Sequence, residues 1–335
     1  MKGRLIALIG VLAAAACVLV LPAAATYPGV NGPITYSKNL APGPEAGVHD
    51  IFKLDGGVET QLTHTFPGLA LNSDWSPDGQ RIAFDANDGP DAAPEIWVMN
   101  ADGTGQTQLT SNDTFDAAPN WSPDGDWIAF EHDGDNPPAT QGIYKMRPDG
   151  TGLTRVTAIP PGIAFDSEPA FSPNGQWLAF TRFRGTCKFP NPYRFIAAGC
   201  TQAIYVVSPD GTGLQRLTSW GGAVASPDWS PDGTKITYHR CDLCKQGGKL
   251  DVYVMNANGS GDRRLTDSPP WTGGPFVGSG NPVYSPDGKK ILFTRWFADQ
   301  ESQIMVMNAD GSNVQAVTDE PAAMHNEADW GTPAP

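Results

Sequence analysis

The residues best suited to metal-ion or acid–base chemistry recur at similar places along the chain, a few positions before an aromatic residue. They are Asn72, Asp116, Asp166, Glu168, Asn281, His325 and Glu327. If these side chains converge on one axis, they could hold a hard cation such as calcium, or a metal ion that assists hydrolysis. Asp116, Asp166 and Glu327 are the candidate ligands of such an ion. The simpler interpretation is a polar lining of a water-filled channel, and on it we predict no cofactor and no catalytic residue.

Sequence motifs of the common catalytic sites are missing. The chain contains no Gly-x-Ser-x-Gly, no His-Glu-x-x-His, no phosphate-binding loop and no dinucleotide-binding fingerprint. The Asp-rich segment 85–91 resembles a calcium-binding loop. It lacks the glutamate that closes such a loop, so an Asp/Gly turn is the better interpretation. Any chemistry therefore depends on the elements that position the polar residues.

Those elements come from a unit that is repeated along the chain. The clearest copy reads Asp74-Trp75-Ser76-Pro77-Asp78-Gly79, Ile82-Ala83-Phe84, Ile96-Trp97-Val98-Met99, Asp102-Gly103 and Leu109-Thr110. Its first aromatic residue recurs at Trp75, Trp121, Phe171, Trp229, Tyr284 and Trp330. A spacing of about fifty residues is typical of stacked or circular repeat architectures.

Each unit predicts four antiparallel β-strands, here named A to D. The short apolar runs are bounded by Ser-Pro-Asp-Gly and Asp-Gly, which are hairpin turn signals. Proline pre-sets φ at the second turn position, and glycine accepts a positive φ. A lone four-stranded sheet must bury two faces and protect two edges, and packing several sheets radially as a β-propeller achieves both. We therefore predict an all-β fold.

The two ends of the repeat region predict how the ring closes. The first unit begins at Ile34 and lacks strand A, whereas the segment His325–Trp330 is a strand A with nothing after it. Together they make one blade. We predict a six-bladed β-propeller of four-stranded antiparallel blades, closed by pairing of the C-terminal strand with the N-terminal blade, as a single domain over residues 26–335. An open solenoid is the alternative, but it would need a capping repeat at each end.

These strings resemble the repeats of the TolB-like family of six-bladed β-propellers, which carry the same Trp-Ser-Pro-Asp-Gly, Ile-Ala-Phe and Asn-Ala-Asp-Gly-Thr-Gly sequences. The resemblance covers about residues 30 to 331, the propeller portion only, without the N-terminal α/β domain of TolB. It implies the fold. Related propellers serve as scaffolds, as gating domains of peptidases and as small-molecule hydrolases, so the resemblance leaves the activity open.

Basic and aromatic residues concentrate on one side of the predicted disc. The A–B and C–D turns lie on one face, here named the turn face, and the B–C loops and D–A connections lie on the other, the loop face. The loop face varies in length and composition, as binding surfaces do. Its candidate binding residues are Arg182, Arg184, Tyr193, Arg194, Arg240, Arg295, Trp296, Trp220 and Trp271. Arginine and aromatic residues dominate interface hot spots; the alternative is that they pair and pack locally.

Four cysteines follow the N-terminal region, at Cys187, Cys200, Cys241 and Cys244. An even number in an exported chain indicates disulfides, and we predict Cys187–Cys200 and Cys241–Cys244. The alternative is a zinc site of four thiolates shared by neighbouring loops. The gap between Cys187 and Cys200 is long for a zinc knuckle, which favours the disulfides.

The N-terminal region has the pattern of a signal peptide. Two basic residues precede an apolar stretch from Leu5 to Leu21, and the alanines at 23–25 offer a cleavage site. We predict a signal peptide over residues 1–25, export to the periplasm or the extracellular space, and no membrane span after cleavage. A membrane anchor and lipid attachment at Cys17 are the alternatives.

The net charge of the chain limits the classes of partner that it can bind. The chain has 22 Lys and Arg against 36 Asp and Glu, a net charge of −14, which argues against nucleic-acid binding. We predict a monomeric, non-catalytic binding or scaffold propeller of the cell envelope that engages a protein, peptide or glycan through the loop face. The alternative is a metal-dependent small-molecule hydrolase or lactonase with its site at the central channel.

Overall fold

A computed structural model describes residues 28–39, 48–64, 68–87, 89, 92–133, 140–188, 198–221, 223–241, 248–270, 277–297, 301–318 and 325–333. These residues form six antiparallel sheets of four strands each. Blade 1 contains β24, β1, β2 and β3, and each later blade contains the next four strands in chain order. The six-bladed propeller predicted from the repeats is therefore confirmed.

The strands have the following bounds in the first three blades: β24 (His325–Trp330), β1 (Ile34–Asn39), β2 (His49–Asp55), β3 (Val58–Gln61), β4 (Ala70–Trp75), β5 (Arg81–Ala86), β6 (Glu95–Asn100), β7 (Thr107–Gln108), β8 (Asp116–Trp121), β9 (Ile128–His132), β10 (Gly142–Met146) and β11 (Thr154–Arg155). Those of the last three blades are β12 (Ile163–Phe171), β13 (Leu178–Lys188), β14 (Ala198–Val207), β15 (Gln215–Arg216), β16 (Ala223–Trp229), β17 (Lys235–Cys241), β18 (Leu250–Asn256), β19 (Arg263–Arg264), β20 (Gly278–Tyr284), β21 (Lys290–Trp296), β22 (Ser302–Asn308) and β23 (Gln315–Ala316).

The Ser-Pro-Asp-Gly turns are held by their own side chains. The Ser76 hydroxyl donates to Asp78 Oδ1 at 2.6 Å and accepts the backbone N–H of Arg81 at 2.9 Å. Asp78 Oδ1 also accepts the backbone N–H of Gln80 at 3.0 Å. Gly79 has φ +65°, a value that favours glycine. The same bonds recur in the turns of blades 3 to 6, so local chemistry sets every A–B hairpin.

The hydrophobic core lies between neighbouring blades. Between blades 3 and 4, for example, Ile143 and Val156 pack against Leu178 and Phe180. The aromatic residues that end strand A, such as Trp75 and Trp121, are almost fully buried in these layers. Because each layer needs a neighbour on both sides, closing the ring removes the apolar ends that an open array would expose.

Ring closure uses both ends of the repeat region, as predicted. Strand β24 pairs antiparallel with β1, with Ile34 opposite Trp330 and Lys38 opposite His325. Beyond the paired strands, Gly32 N–H donates to Gly331 O at 2.9 Å, and Gly331 N–H donates to Pro33 O at 2.9 Å. The two ends thus replace the hairpin that joins strands A and B in the other blades.

Candidate functional site

The centre of the disc is lined by a repeated bulge in strand A. The third residue before each aromatic has a left-handed backbone, with φ between 48° and 55°. We name these six residues the channel ring: Asn72, Ala118, Glu168, Ser226, Asn281 and Glu327. Together with the next two residues of each strand they line an open cavity of about 150 Å³. Such backbone geometry is costly for residues other than glycine, so the surrounding hydrogen bonds must hold it.

Carboxylates hold the channel ring by bonding across blade boundaries. Glu327 Oε2 of blade 1 accepts the backbone N–H of Asn72 in blade 2 at 3.3 Å. Asp85 Oδ1 of blade 2 accepts the backbone N–H of Ala118 in blade 3 at 3.0 Å, and also the Asn72 amide at 2.7 Å. Glu168 Oε2 of blade 4 accepts the backbone N–H of Ser226 in blade 5 at 2.8 Å. These acids therefore join neighbouring blades.

A second layer of bonds lies two residues further along strand A. Asp329 Oδ2 accepts the backbone N–H of Trp75 at 2.9 Å, and Asp74 Oδ2 accepts that of Trp121 at 2.7 Å. Asp228 Oδ2 accepts the backbone N–H of Tyr284 at 2.8 Å. Asn120 Oδ1 accepts the backbone N–H of Phe171 in the same way, at 2.8 Å. Sequence reasoning missed this layer, although an acid directly before the aromatic of strand A was a visible signal.

Three of the central carboxyl groups, Glu327, Asp74 and Asp329, have raised pKa values. Burial raises the pKa of Glu327 to about 8, and the nearby carboxyl groups of Asp85 and Glu168 add to the shift. Burial also raises the pKa of Asp74, to which the Asp329 carboxyl contributes, and burial raises the pKa of Asp329. No Lys or Arg belongs to the described residues that line the cavity. The described lining of the cavity is thus acidic, with several carboxyl groups whose pKa is raised by burial.

The structure divides the predicted channel residues into two sets. Asn72, Glu168, Asn281 and Glu327 come together in the channel ring. Asp116, Asp166 and His325 lie two residues earlier in strand A and do not line the cavity. Sequence reasoning missed Ala118 and Ser226, because neither residue type signals a ligand or a left-handed backbone.

Each residue of the second set contacts a side chain of its own blade. Asp116 Oδ1 lies 2.5 Å from His132 Nδ1, and Asp166 binds Arg182 at 2.6 Å through both carboxylate oxygens. The His325 ring lies 5.5 Å from that of Tyr36. Among the described residues, no group of three His, Cys, Asp or Glu side chains is arranged to hold a metal ion.

Several predicted binding residues also have partners within the protein. Arg182 is 3% exposed in its pair with Asp166, and Trp296 is buried and donates its indole N–H to Asn326 Oδ1 at 3.0 Å. Arg240 bonds to Asp262 and lies 3.9 Å from the Tyr253 ring centre.

Arg295 is half-buried over the Phe293 ring at 5.3 Å, and burial lowers the pKa of its guanidinium. The remaining predicted residues Tyr193, Arg194 and Trp271, and the predicted bridge partner Cys244, lie outside the described residues.

Blade 4 differs from the other blades on the loop face. Its strands β13 and β14 have 11 and 10 residues, and the Cys187–Cys200 disulfide joins them, as predicted. Cys187 and Cys200 therefore cannot serve a shared zinc site. Cys241 is also disulfide-bonded, and its pairing with Cys244 stays a prediction.

An exposed cation–aromatic cluster lies on this blade. The Arg184 guanidinium lies 4.4 Å from the Trp220 ring centre, and that of Arg216 lies 6.0 Å from it. Both arginines are exposed, and the Trp220 ring is half-buried against Tyr205, with ring centres 5.8 Å apart. We name Arg184, Arg216 and Trp220 the blade-4 cluster. Arg216 was missed from the sequence because it lies in a D strand rather than in a loop.

No helix among the described residues has the length and apolar composition needed to cross a membrane.

Comparison with known proteins gives short sequence matches and a long structural one. An uncharacterised protein of Agrobacterium fabrum is 29% identical over 123 residues, 35% of this chain and 38% of that protein. The Tol-Pal system protein TolB of Anaeromyxobacter dehalogenans is 44% identical over 52 residues, 16% of this chain and 12% of that protein. The chain thus matches well under half the length of either relative.

The crystal structure of TolB from Acinetobacter baumannii superposes with a TM-score of 0.67 at 20% identity, over 90% of this chain and 67% of that one, which shows a shared fold. The family model of the TolB beta propeller domain matches residues 43–186 and 194–329. Since that match takes in most of the six blades described above, the chain belongs to the TolB beta propeller domain family.

Proposed function

We propose that this protein is an exported, non-catalytic binding propeller that captures a protein partner on its loop face, next to blade 4. The observation that carries the proposal is the blade-4 cluster, in which Arg184 on the disulfide-linked β13–β14 hairpin and Arg216 on β15 are exposed beside Trp220. Exposed arginine and aromatic side chains on a rigid support are the usual composition of binding hot spots.

The central acids support a binding role rather than a catalytic one. Asp74, Asp329 and Glu168 accept backbone N–H groups of the next blade, so they hold the ring together. A carboxylate that maintains blade contacts is poorly placed to act as a base, because any movement toward a substrate would break the contact.

Export is part of the same proposal. The signal-like N-terminal segment predicts it, and the Cys187–Cys200 bridge suits an oxidising compartment such as the periplasm or the extracellular space. The exposed arginine and aromatic side chains of the blade-4 cluster support a protein partner over a glycan. We further propose that the protein acts as a monomer and does not bind nucleic acid, in line with its net charge of −14.

Site-directed blocking of one face tests this proposal. The partner is first cross-linked to the tagged protein in cells, identified and purified, and its binding to the isolated propeller is titrated. Ser219→Cys places a thiol on the exposed D–A connection of blade 4, and Lys289→Cys places one on the turn face, where the lysine is 79% exposed. Coupling a polyethylene glycol maleimide to the Ser219→Cys variant should abolish binding, and coupling it to the Lys289→Cys variant should leave binding intact.

Two results would overturn the proposal. One is equal binding by both coupled proteins, which would remove the loop face as the binding surface. The other is metal-dependent turnover of small lactones or esters by the purified protein, abolished by substitution of a channel-ring carboxylate in a variant that still folds. That result would favour the hydrolase alternative.

A further inference from the structure

Blades 1 and 5 show how this propeller neutralises a cation at the edge of a sheet. In blade 5, one carboxylate oxygen of Asp262 accepts the Arg240 guanidinium and the other accepts the Tyr238 hydroxyl. In blade 1, Glu59 does the same for Lys38 and Tyr36. In both blades the acid comes from the start of strand D, so the chain supplies the counter-charge itself.

Blade 4 lacks that strand D acid, and its equivalent of Arg240 and Lys38 is Arg182, which pairs with Asp166 instead. The position of Glu59 and Asp262 is occupied by Leu214, which is 47% exposed. Arg184 and Arg216 flank Trp220, and neither lies within ion-pair distance of a carboxylate of the described residues. The equivalent of Arg216 in blade 5, Arg264, lies 3.2 Å from Asp267 and 3.6 Å from Asp251.

The difference is not explained by the overall charge of the chain. The protein has 14 more acidic than basic side chains. Even so, no carboxylate of the described residues lies within ion-pair distance of the two exposed guanidiniums of blade 4. Guanidinium groups bind carboxylates strongly, in a planar geometry with two parallel hydrogen bonds. A carboxylate from another molecule can therefore bind Arg184 and Arg216.

The backbone around the cluster suits an extended segment. Strand β15, which contains Arg216, is the last strand of its sheet and pairs on one side only, with β14. Its outer edge can receive main-chain hydrogen bonds from an added strand. Trp220 offers apolar contact beside the cations, and Leu214, two residues before Arg216, adds an exposed apolar side chain. This combination of apolar side chains and a strand edge fits a peptide better than a charged polysaccharide, which has no apolar side chains.

We infer that Arg184, Arg216, Trp220 and Leu214 form a docking site for an acidic, extended peptide segment of a protein partner. Carboxylates of the segment bind the two guanidiniums, and its apolar side chains cover Trp220 and Leu214. The inference rests on the proposed function and deepens it, since it specifies the chemistry of the partner. The net negative charge of the protein disfavours binding of such a segment away from basic clusters.

A binding measurement with a defined probe tests the inference. The probe is a fluorescein-labelled peptide of alternating Glu and Leu, titrated with the purified protein at low ionic strength and followed by fluorescence anisotropy. A peptide of alternating Lys and Leu serves as the comparison. We expect saturable binding of the acidic peptide only, weakened by added salt as a charge-dependent contact requires.

Two double variants with the same change in net charge separate a local site from general attraction. Arg184→Glu/Arg216→Glu should weaken binding at least about tenfold, a loss of about 1.4 kcal/mol. Lys235→Glu/Lys289→Glu alters two exposed lysines near the A–B turns and should change the dissociation constant by less than about twofold. Trp220→Ala should weaken binding without any change in charge. Circular dichroism melting shows that each variant is folded.

Three outcomes would overturn the inference: equal weakening by the two double variants, no binding of the acidic peptide, or tighter binding of oligogalacturonate than of the peptide. The last would identify the cluster as a glycan site. If coupling at position 219 blocks the natural partner while Arg184→Glu/Arg216→Glu does not, the proposed function stands and this docking site is wrong.

Discussion

The Asp329 carboxylate accepts the backbone N–H of Trp75 at 2.9 Å, and this bond ties the last strand of the chain to blade 2. Strand β24 also pairs with β1 of its own blade. Asp329 therefore stabilises the ring at the boundary where the chain closes on itself. The same bond joins Asp74 to Trp121 at the boundary between blades 2 and 3.

Replacing Asp329 by alanine should destabilise the ring. The substitution leaves the buried N–H of Trp75 without its acceptor, which costs about 1–3 kcal/mol. Asp329→Asn keeps an acceptor oxygen and removes the buried charge, so it should retain most of the stability. Urea unfolding followed by tryptophan fluorescence measures both. Equal losses in the two variants would show that the hydrogen bond is not what matters.

Stability should fall as the pH rises, because of Glu327. Burial raises the pKa of Glu327 from 4.5 in the unfolded chain to about 8 in the ring. Between these values the folded state holds a proton that the unfolded state has lost, so its stability is fully present below about pH 4.5 and decreases toward pH 8. The slope from this group is at most about 1.4 kcal/mol per pH unit. Melting temperatures from about pH 5 to about pH 9, values chosen to span that window, measure it.

Glu327→Gln provides the control for this effect. Glutamine keeps an oxygen that can accept the Asn72 N–H, and it does not titrate. The variant should melt at a temperature that depends less on pH than the wild type does, with the largest gain at the alkaline end. An unchanged slope would assign the pH dependence to other groups, of which Asp74 and Asp329 are the first to test because burial also raises their pKa.

The fold could be predicted because its signals are local and repeated. The Ser76, Asp78 and Gly79 turn bonds lie within a few residues of one another, so the residue types alone specify the hairpin. Ring closure followed from counting strands at the two ends. Neither step needed knowledge of contacts between distant side chains.

The site was harder to predict because strand A contains a bulge. A regular strand alternates its side chains between two faces, and the bulge near Ala118 shifts this alternation. Asp116 therefore lies in the blade beside His132, while Ala118 lines the cavity. Charge alone could not separate Arg182, which is paired with Asp166, from Arg184, which is exposed two residues later.

Removing the Cys187–Cys200 bridge should loosen blade 4 without unfolding the ring. The bridge spans 13 residues, and closing a loop of that size stabilises by up to about 3 kcal/mol. Since the effect is confined to the β13–β14 hairpin, Cys187→Ser/Cys200→Ser should increase proteolysis of the hairpin more than it lowers the melting temperature. Cleavage sites mapped by mass spectrometry measure the first effect. Cleavage spread evenly over all blades would contradict a local role.

Arg182 should be essential for stability, whereas Arg184 should not. The Arg182 guanidinium lies in a buried pair with Asp166, both bonds at 2.6 Å, and Arg182→Ala leaves that carboxylate buried without its counter-charge. Loss of one partner of a buried pair costs about 3–5 kcal/mol. Arg184→Ala removes an exposed side chain and should cost less than about 0.5 kcal/mol. Chemical unfolding of the two variants gives the comparison.

The double variant Arg182→Met/Asp166→Leu distinguishes two causes for the stability that is lost when Arg182 is replaced. If the cost of Arg182→Ala comes from the unpaired Asp166 carboxylate, removing both charges should recover much of the lost stability, because an apolar pair can replace a buried ion pair. If the cost comes from the stacking of Arg182 on the Tyr205 ring, at 5.1 Å, methionine restores only part of it and Arg182→Lys should also be unstable. A stable Arg182→Ala protein would mean that Asp166 takes up a proton on losing its partner, since burial already raises the pKa of that carboxyl.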